Sequence, residues 1–184
     1  MFKVRNVLSK HALMLIYHSL VGSKLRYGLI CWATAYKYLL DKVTVAHNKI
    51  ITCMTFQKRC STMWPLYQQL KVLPLEILIE MEYAKTMFKY QNKMLPQVFD
   101  SYFTQPSHLY KTRFLARNNF ALIHINNAKE KSLLKYIGPK IWTVIPLNIK
   151  KEPSIKVFVK TYRNYLIGNI STIKFLLYNS SLFS

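Results

Sequence analysis

The sequence predicts a mainly α fold: an irregular helical bundle with an irregular or short-strand middle segment and a C-terminal helix. Apolar residues recur every three or four positions through most of the first hundred residues, and again after Ser154. Terminus signals bracket those runs. Ser9 and Ser154 stand where N-caps belong, Pro74 at a first helical position, and Gly168 just past a helix end. Only four glycines occur and 51% of residues are apolar, so a sizeable core is available and wholesale disorder is disfavoured.

Ser9 caps a helix through about Leu20, with Ala12, Leu15, Ile16 and Ser19 on one face. A second segment carries Leu25, Leu29, Trp32 and Tyr36 at helical spacing. Gly22 and Gly28 weaken it, and a bend is expected near Gly22. Leu39, Val43, Ala46, Ile50 and Met54 define a longer amphipathic helix, with Lys42 and Lys49 on other faces. Pro74 opens a helix that turns Ile77, Met81, Ala84 and Phe88 inward and runs to about Met94, where Pro96 stops it. A short helix follows from Pro96 to Phe103.

Residues 104–127 read as loop, with 120–125 a candidate strand. Ser132 to Ile145 reads as a helix broken at Gly138-Pro139. The last helix places Ile155, Phe158, Tyr162 and Tyr165 inside and Lys156, Lys160 and Arg163 outside. The expected divisions are a helical region over 1–103, a loop-rich segment plus C-terminal helices over 104–168, and an unpatterned tail over 169–184.

Twenty-seven Lys and Arg against seven Asp and Glu give a formal charge of +20, a field that attracts polyanions and nucleic acid first among them. The same imbalance removes most acidic chemistry. Of the carboxylates, Glu76, Glu80 and Glu82 alone lie close together, and Glu76 and Glu80 read as one solvated helix face. A two-metal nucleotidyl-transfer site needs several carboxylates converging on one cleft. The chain therefore reads as a binder rather than a catalyst. It carries no phosphate-cradling glycine loop, no GxSxG and no HExxH.

Cys31, Cys53 and Cys60 form no CxxC pair, and His47, Cys53 and Cys60 match no usual zinc spacing. No metal or other cofactor is expected. Lys3, Arg5 and Lys10 precede an apolar run from Ala12 to Gly22, but Tyr17 and His18 interrupt it and no small-x-small cleavage site follows. That run is too short to span a bilayer. An intracellular protein, nuclear or cytoplasmic and not secreted, is expected.

Cations interleave with aromatics in three places: Lys24, Arg26 and Tyr27; Lys135, Tyr136, Lys140 and Trp142; Lys160, Tyr162, Arg163 and Tyr165. Cations pair with phosphates and aromatic faces stack on unpaired bases. His108, Thr112, Arg113 and Arg117 concentrate polar groups in the irregular middle segment, where the two arginines can clamp a phosphate or pair with the scarce acids. The candidate phosphate contacts are thus Lys24, Arg26, Arg113, Arg117, Lys140, Lys160 and Arg163, and the expected partner is RNA or DNA.

Six passages, in order, resemble a known family. YHSLVGSKLRYGLICW (17–32), LDKVTVAHNKIITCM (40–54), PLYQQLKVLPLEIL (65–78), MFKYQNKMLPQVFDSYF (87–103), HLYKTR (108–113) and GPKIWTVIPLNIK (138–150) are similar to the region downstream of the catalytic palm in LINE-type (non-LTR) retrotransposon reverse transcriptases. The resemblance covers about residues 9–168. It implies a thumb-like helical region that helps hold template and primer in an RNA-directed DNA polymerase. The family's metal-binding aspartates, including its Y/F-x-D-D box, have no counterpart here, so no catalytic residue carries over. Thr112, Arg113, Gly138, Pro139 and Trp142 fall on its motif positions. The expected function is that of a truncated, catalytically inert fragment retaining nucleic-acid binding. The alternative is a basic helical scaffold that meets acidic proteins or anionic membrane surfaces.

Overall fold

A computed structural model describes residues 6–57, 62–104, 118–124, 127, 130 and 133–169. The described residues are mainly helical and include no strand. The elements, in order, are α1 (Lys10–Ile16), a π-helical stretch (Tyr17–Gly22), α2 (Ser23–Arg26), α3 (Leu29–Trp32), α4 (Lys37–Thr55), α5 (Met63–Leu70), α6 (Leu75–Gln91), a 3₁₀ turn (Gln97–Phe99), α7 (Leu134–Val144), α8 (Leu147–Lys150) and α9 (Ile155–Gly168). The chain divides into two compact units, and the division falls inside α6, between Ile79 and Glu80.

In the first unit, Ser9 caps α1 by accepting from the Ala12 N–H at 3.3 Å. The helix keeps helical backbone angles at Gly22, φ −62 and ψ −37. It widens from Tyr17 into the π-helical stretch, where Ser23 N–H reaches back five residues to the His18 carbonyl, and resumes as α2. Gly28 then sits at φ +59, a left-handed conformation that a glycine adopts without steric cost, and turns the chain into α3.

The buried face differs from the sequence expectation. Leu13 and Tyr17 are buried on the first helix, while Leu15 and Ser19 are exposed. On α4 the inward residues are His47, Ile51, Cys53 and Met54 rather than Leu39 and Ala46. Leu13, Tyr17, Ile51, Met54, Leu66, Tyr67, Leu70 and Val72 form one core cluster. The shift has one physical cause. Tyr17 and His47 look polar in a periodicity count, but their polar atoms bond each other and their rings fill the interior.

α6 is apolar almost all round. Ile77, Met81, Ala84 and Phe88 are buried as expected, and so are Leu78, Ile79, Tyr83 and Met87. A helix apolar on every face belongs to an interior.

In the second unit, α7 runs unbroken through Gly138 and Pro139, contrary to the break expected there. Pro139 forfeits one backbone N–H inside the helix. Close packing compensates: a Cβ on Gly138 would stand 2.7 Å from Met87 Sδ and 3.3 Å from Leu134 Cδ1. Ile137, Ile141 and Trp142 are buried beside it. The candidate strand does not form over residues 120–124, where Ala121 N–H bonds the Thr104 carbonyl at 2.9 Å; residue 125 lies outside the described residues. On α9 the inward residues are Phe158, Tyr162 and Leu166; Tyr165, expected inside, is about one-third exposed.

Gly138→Ala separates two opposed effects. Helix propensity alone would stabilise the variant by about 1 kcal/mol. The contact with Met87, whose side chain is fully buried, forces overpacking that costs about 1–3 kcal/mol. The expected result in denaturant titration is net destabilisation, and in a Met87→Ala background, itself less stable by about 2–5 kcal/mol, Gly138→Ala should cost less than it does in the wild type. A more stable Gly138→Ala variant would refute the close packing.

Candidate nucleic-acid interface

In the first unit, Lys24 and Arg26 lie in the last turn of α2, both exposed. Lys24 lines an open groove of about 390 Å³ with Leu20, Val21, Leu25, Trp32 and Val43. Trp32 is held by its indole N–H, which donates to the Tyr27 carbonyl at 3.0 Å, and the Tyr27 ring projects into solvent. This first cation–aromatic cluster is therefore accessible as the sequence pattern implies.

The clusters in the second unit are only partly so. Lys140 is half-buried and lies 5.8 Å over the Tyr136 ring. Trp142 is fully buried, its indole N–H donating to the Asn118 carbonyl at 2.9 Å, and is removed from any ligand. Lys160 is exposed on α9, with Arg163 half-buried one turn on. Tyr162 is buried and donates its hydroxyl to Glu80 Oε1 at 2.7 Å, while Tyr165 stacks on it at 6.1 Å. Arg113 and Arg117, with His108 and Thr112, lie outside the described residues, as does the tail from residue 170.

Sequence reasoning missed two features. Tyr36 and Tyr38 were read as packing or unremarkable positions, yet both are exposed beside Lys37 and Lys42. Their signal was the alternation Tyr36-Lys37-Tyr38, which places cations and rings together at a helix start. Lys150 carries no sequence signal that sets it apart from the other lysines. It is 4% exposed, donates to Asn119 Oδ1 at 2.8 Å and sits 5.2 Å over the Trp142 ring. Aromatic face and amide oxygen together offset the cost of taking an ammonium out of water.

The carboxylates of α6 are engaged in different ways. Glu76 is exposed, and Glu82 pairs with Lys85 at 3.1 Å. Glu80 is half-buried, so the single solvated face expected for Glu76 and Glu80 is not what forms. Burial raises the Glu80 carboxyl above its ordinary value, against the opposing pull of the Tyr162 hydroxyl. Among the described residues, no three of His, Cys, Asp and Glu gather as a metal-binding group.

His47 is the other buried titratable group. Its ring joins a hydrogen-bond chain with a defined sense. Tyr17 O–H donates to His47 Nε2 at 2.8 Å, His47 Nδ1–H donates to the Tyr67 oxygen at 3.2 Å, and Tyr67 O–H donates to Asn48 Oδ1 at 2.7 Å. The Tyr67 hydroxyl can donate only once, which assigns the imidazole proton to Nδ1. Desolvation lowers the His47 pKa to about 4, so the ring is neutral at physiological pH and holds three helices together.

No known family model, curated protein or solved structure matches this chain at a significant level.

His47 makes stability depend on pH. In the unfolded chain its imidazole takes a proton near pH 6.5, in the folded one near pH 4. Between those values the unfolded state binds more protons, so this contribution is complete above pH 6.5 and is lost as pH falls toward 4. Glu80 pulls the other way, because its folded pKa is raised and its contribution fades as pH rises. Comparing wild type with His47→Gln isolates the first effect. The stability gap between them, from urea titrations, should shrink by about 3 kcal/mol between pH 7 and pH 4. A constant gap would show that the ring is not held neutral.

Proposed function

We propose that this chain binds RNA or DNA through phosphate contacts and corresponds to the region downstream of the palm in a LINE-type retrotransposon reverse transcriptase, without polymerase activity of its own. The observation that carries the reading is charge. One-to-one pairing with all seven carboxylates leaves twenty cations uncompensated, and Lys24, Arg26 and Lys160 stand exposed. An excess of that size exceeds what solubility requires. Six family-like passages in order support the origin, and the helical architecture agrees with a thumb-like region. Lys24 and Arg26 supply phosphate contacts from α2, and Lys140, Lys160 and Arg163 from α7 and α9. Arg113 and Arg117 complete the proposed set. No residue is assigned a catalytic role.

Fluorescence anisotropy with a labelled RNA–DNA hybrid tests the reading. Micromolar binding at 50 mM salt is expected, weakening on the order of 10³-fold by 200 mM if about six phosphates are neutralised. Lys24→Glu with Arg26→Glu should flatten that salt slope by about two phosphate equivalents. Absence of binding at 50 mM salt would overturn the proposal.

A further inference from the structure

The surface formed by α2, α3 and the start of α4 spends aromatic rings on solvent. Tyr27, Tyr36 and Tyr38 are 86%, 70% and 60% exposed. Such rings usually bury their faces and leave the hydroxyl wet. Here most of each side chain, ring included, is open to solvent. Tyr36 and Tyr38 lie nearly parallel, 23° apart in plane and 6.3 Å between centroids. Lys42 extends its ammonium to 5.5 Å from the Tyr38 centroid. Tyr36 immediately precedes Lys37 and Tyr38 at the start of α4, and Val43 of that helix joins Trp32, Leu25 and Lys24 around the open groove.

Charge on this surface is one-sided. Asp41 is the one carboxylate between Met1 and Leu75 in the sequence. Lys42 lies over the Tyr38 ring, Lys37 separates the two tyrosines in sequence, and Lys24 and Arg26 are exposed on α2 of the same unit. A duplex offers this surface phosphates but keeps its base faces stacked on each other. A single strand offers both phosphates and free base faces, and base–aromatic stacking is tolerant of sequence. We infer that Tyr36 and Tyr38 form a stacking platform that binds single-stranded nucleic acid in preference to duplex. The inference rests on the phosphate-binding reading above and adds the substrate class: unpaired bases lie on the tyrosine faces while Lys24, Arg26, Lys37 and Lys42 follow the backbone.

The test uses the whole chain and three labelled probes at 50 mM salt: a short oligodeoxythymidine, an abasic strand of equal length, and a duplex. Wild type should bind the oligodeoxythymidine at least about tenfold more tightly than the abasic strand. Tyr36→Ala with Tyr38→Ala should erase that preference and leave duplex affinity and the salt slope unchanged. Because both side chains lie on the surface, the variant should retain its circular dichroism and melting transition, and loss of duplex binding with folding intact counts against the inference. Equal binding of thymidine and abasic strands by wild type overturns the platform while sparing phosphate binding. Failure to bind any probe overturns both readings together. Tyrosine-dependent flotation with phosphatidylserine vesicles, without a preference for thymidine over abasic strand, would assign the rings to a membrane surface instead and overturn it too.

Discussion

A shortage of carboxylates shapes this protein from the inside out. With seven acids for twenty-seven cations, buried polar groups are satisfied chiefly by neutral partners. His47 lies between two tyrosine hydroxyls. Lys150 rests on an amide oxygen and an indole face. The buried Tyr162 hydroxyl occupies Glu80, one of the few acids that turns inward. Each arrangement demands a particular geometry, because a neutral hydrogen bond is directional where a Coulombic attraction is diffuse. The interior is thereby specified by hydroxyls and amides, and among the described residues every Lys and Arg except Lys150 stays at least partly exposed.

α6 is the element whose sequence announces its place. Its apolar residues fall on every face, and nearly all are buried. In the second unit Phe88 stacks on Phe158 at 4.4 Å, and Met87 lies against the bare Cα of Gly138. That contact accounts for an otherwise odd choice, a glycine and a proline in the middle of α7. The helix keeps its course because the lost backbone bond is offset by side chains that approach more closely than any larger residue would permit.

Much of this was readable in advance, and the failures share a mechanism. The helical class, the cap at Ser9, the inward face of α6 and the positions of Phe158 and Tyr162 follow from spacing and end signals. The faces of the first helix and of α4 do not, because a hydropathy count treats Tyr17 and His47 as interruptions. Their rings are the packing residues, and only a partner thirty positions away makes them so. The π-helical stretch was invisible for a related reason: it shifts the residue spacing by one, which local periodicity registers as noise. Among the cation–aromatic clusters, sequence adjacency could not separate Tyr27, whose ring is free, from Trp142, whose ring is walled in. Spacing grouped Tyr36 with Leu25, Leu29 and Trp32 and did not single out Tyr38, yet both stand exposed at the start of α4.

The rings of the second unit form a continuous series: Phe103 and Phe120 flank Tyr90, Phe120 meets Trp142, Trp142 meets Phe158, and Phe158 meets Tyr162. Trp142 is wholly shielded from water, whereas Trp32 and Trp64 are half-buried. The Trp142 indole is screened from water and so from collisional quenchers, whereas the half-buried Trp32 and Trp64 are open to them, so quencher-resistant emission reports the second unit and quenchable emission the first. The molecule thus carries two intrinsic optical probes, one for each half of its fold.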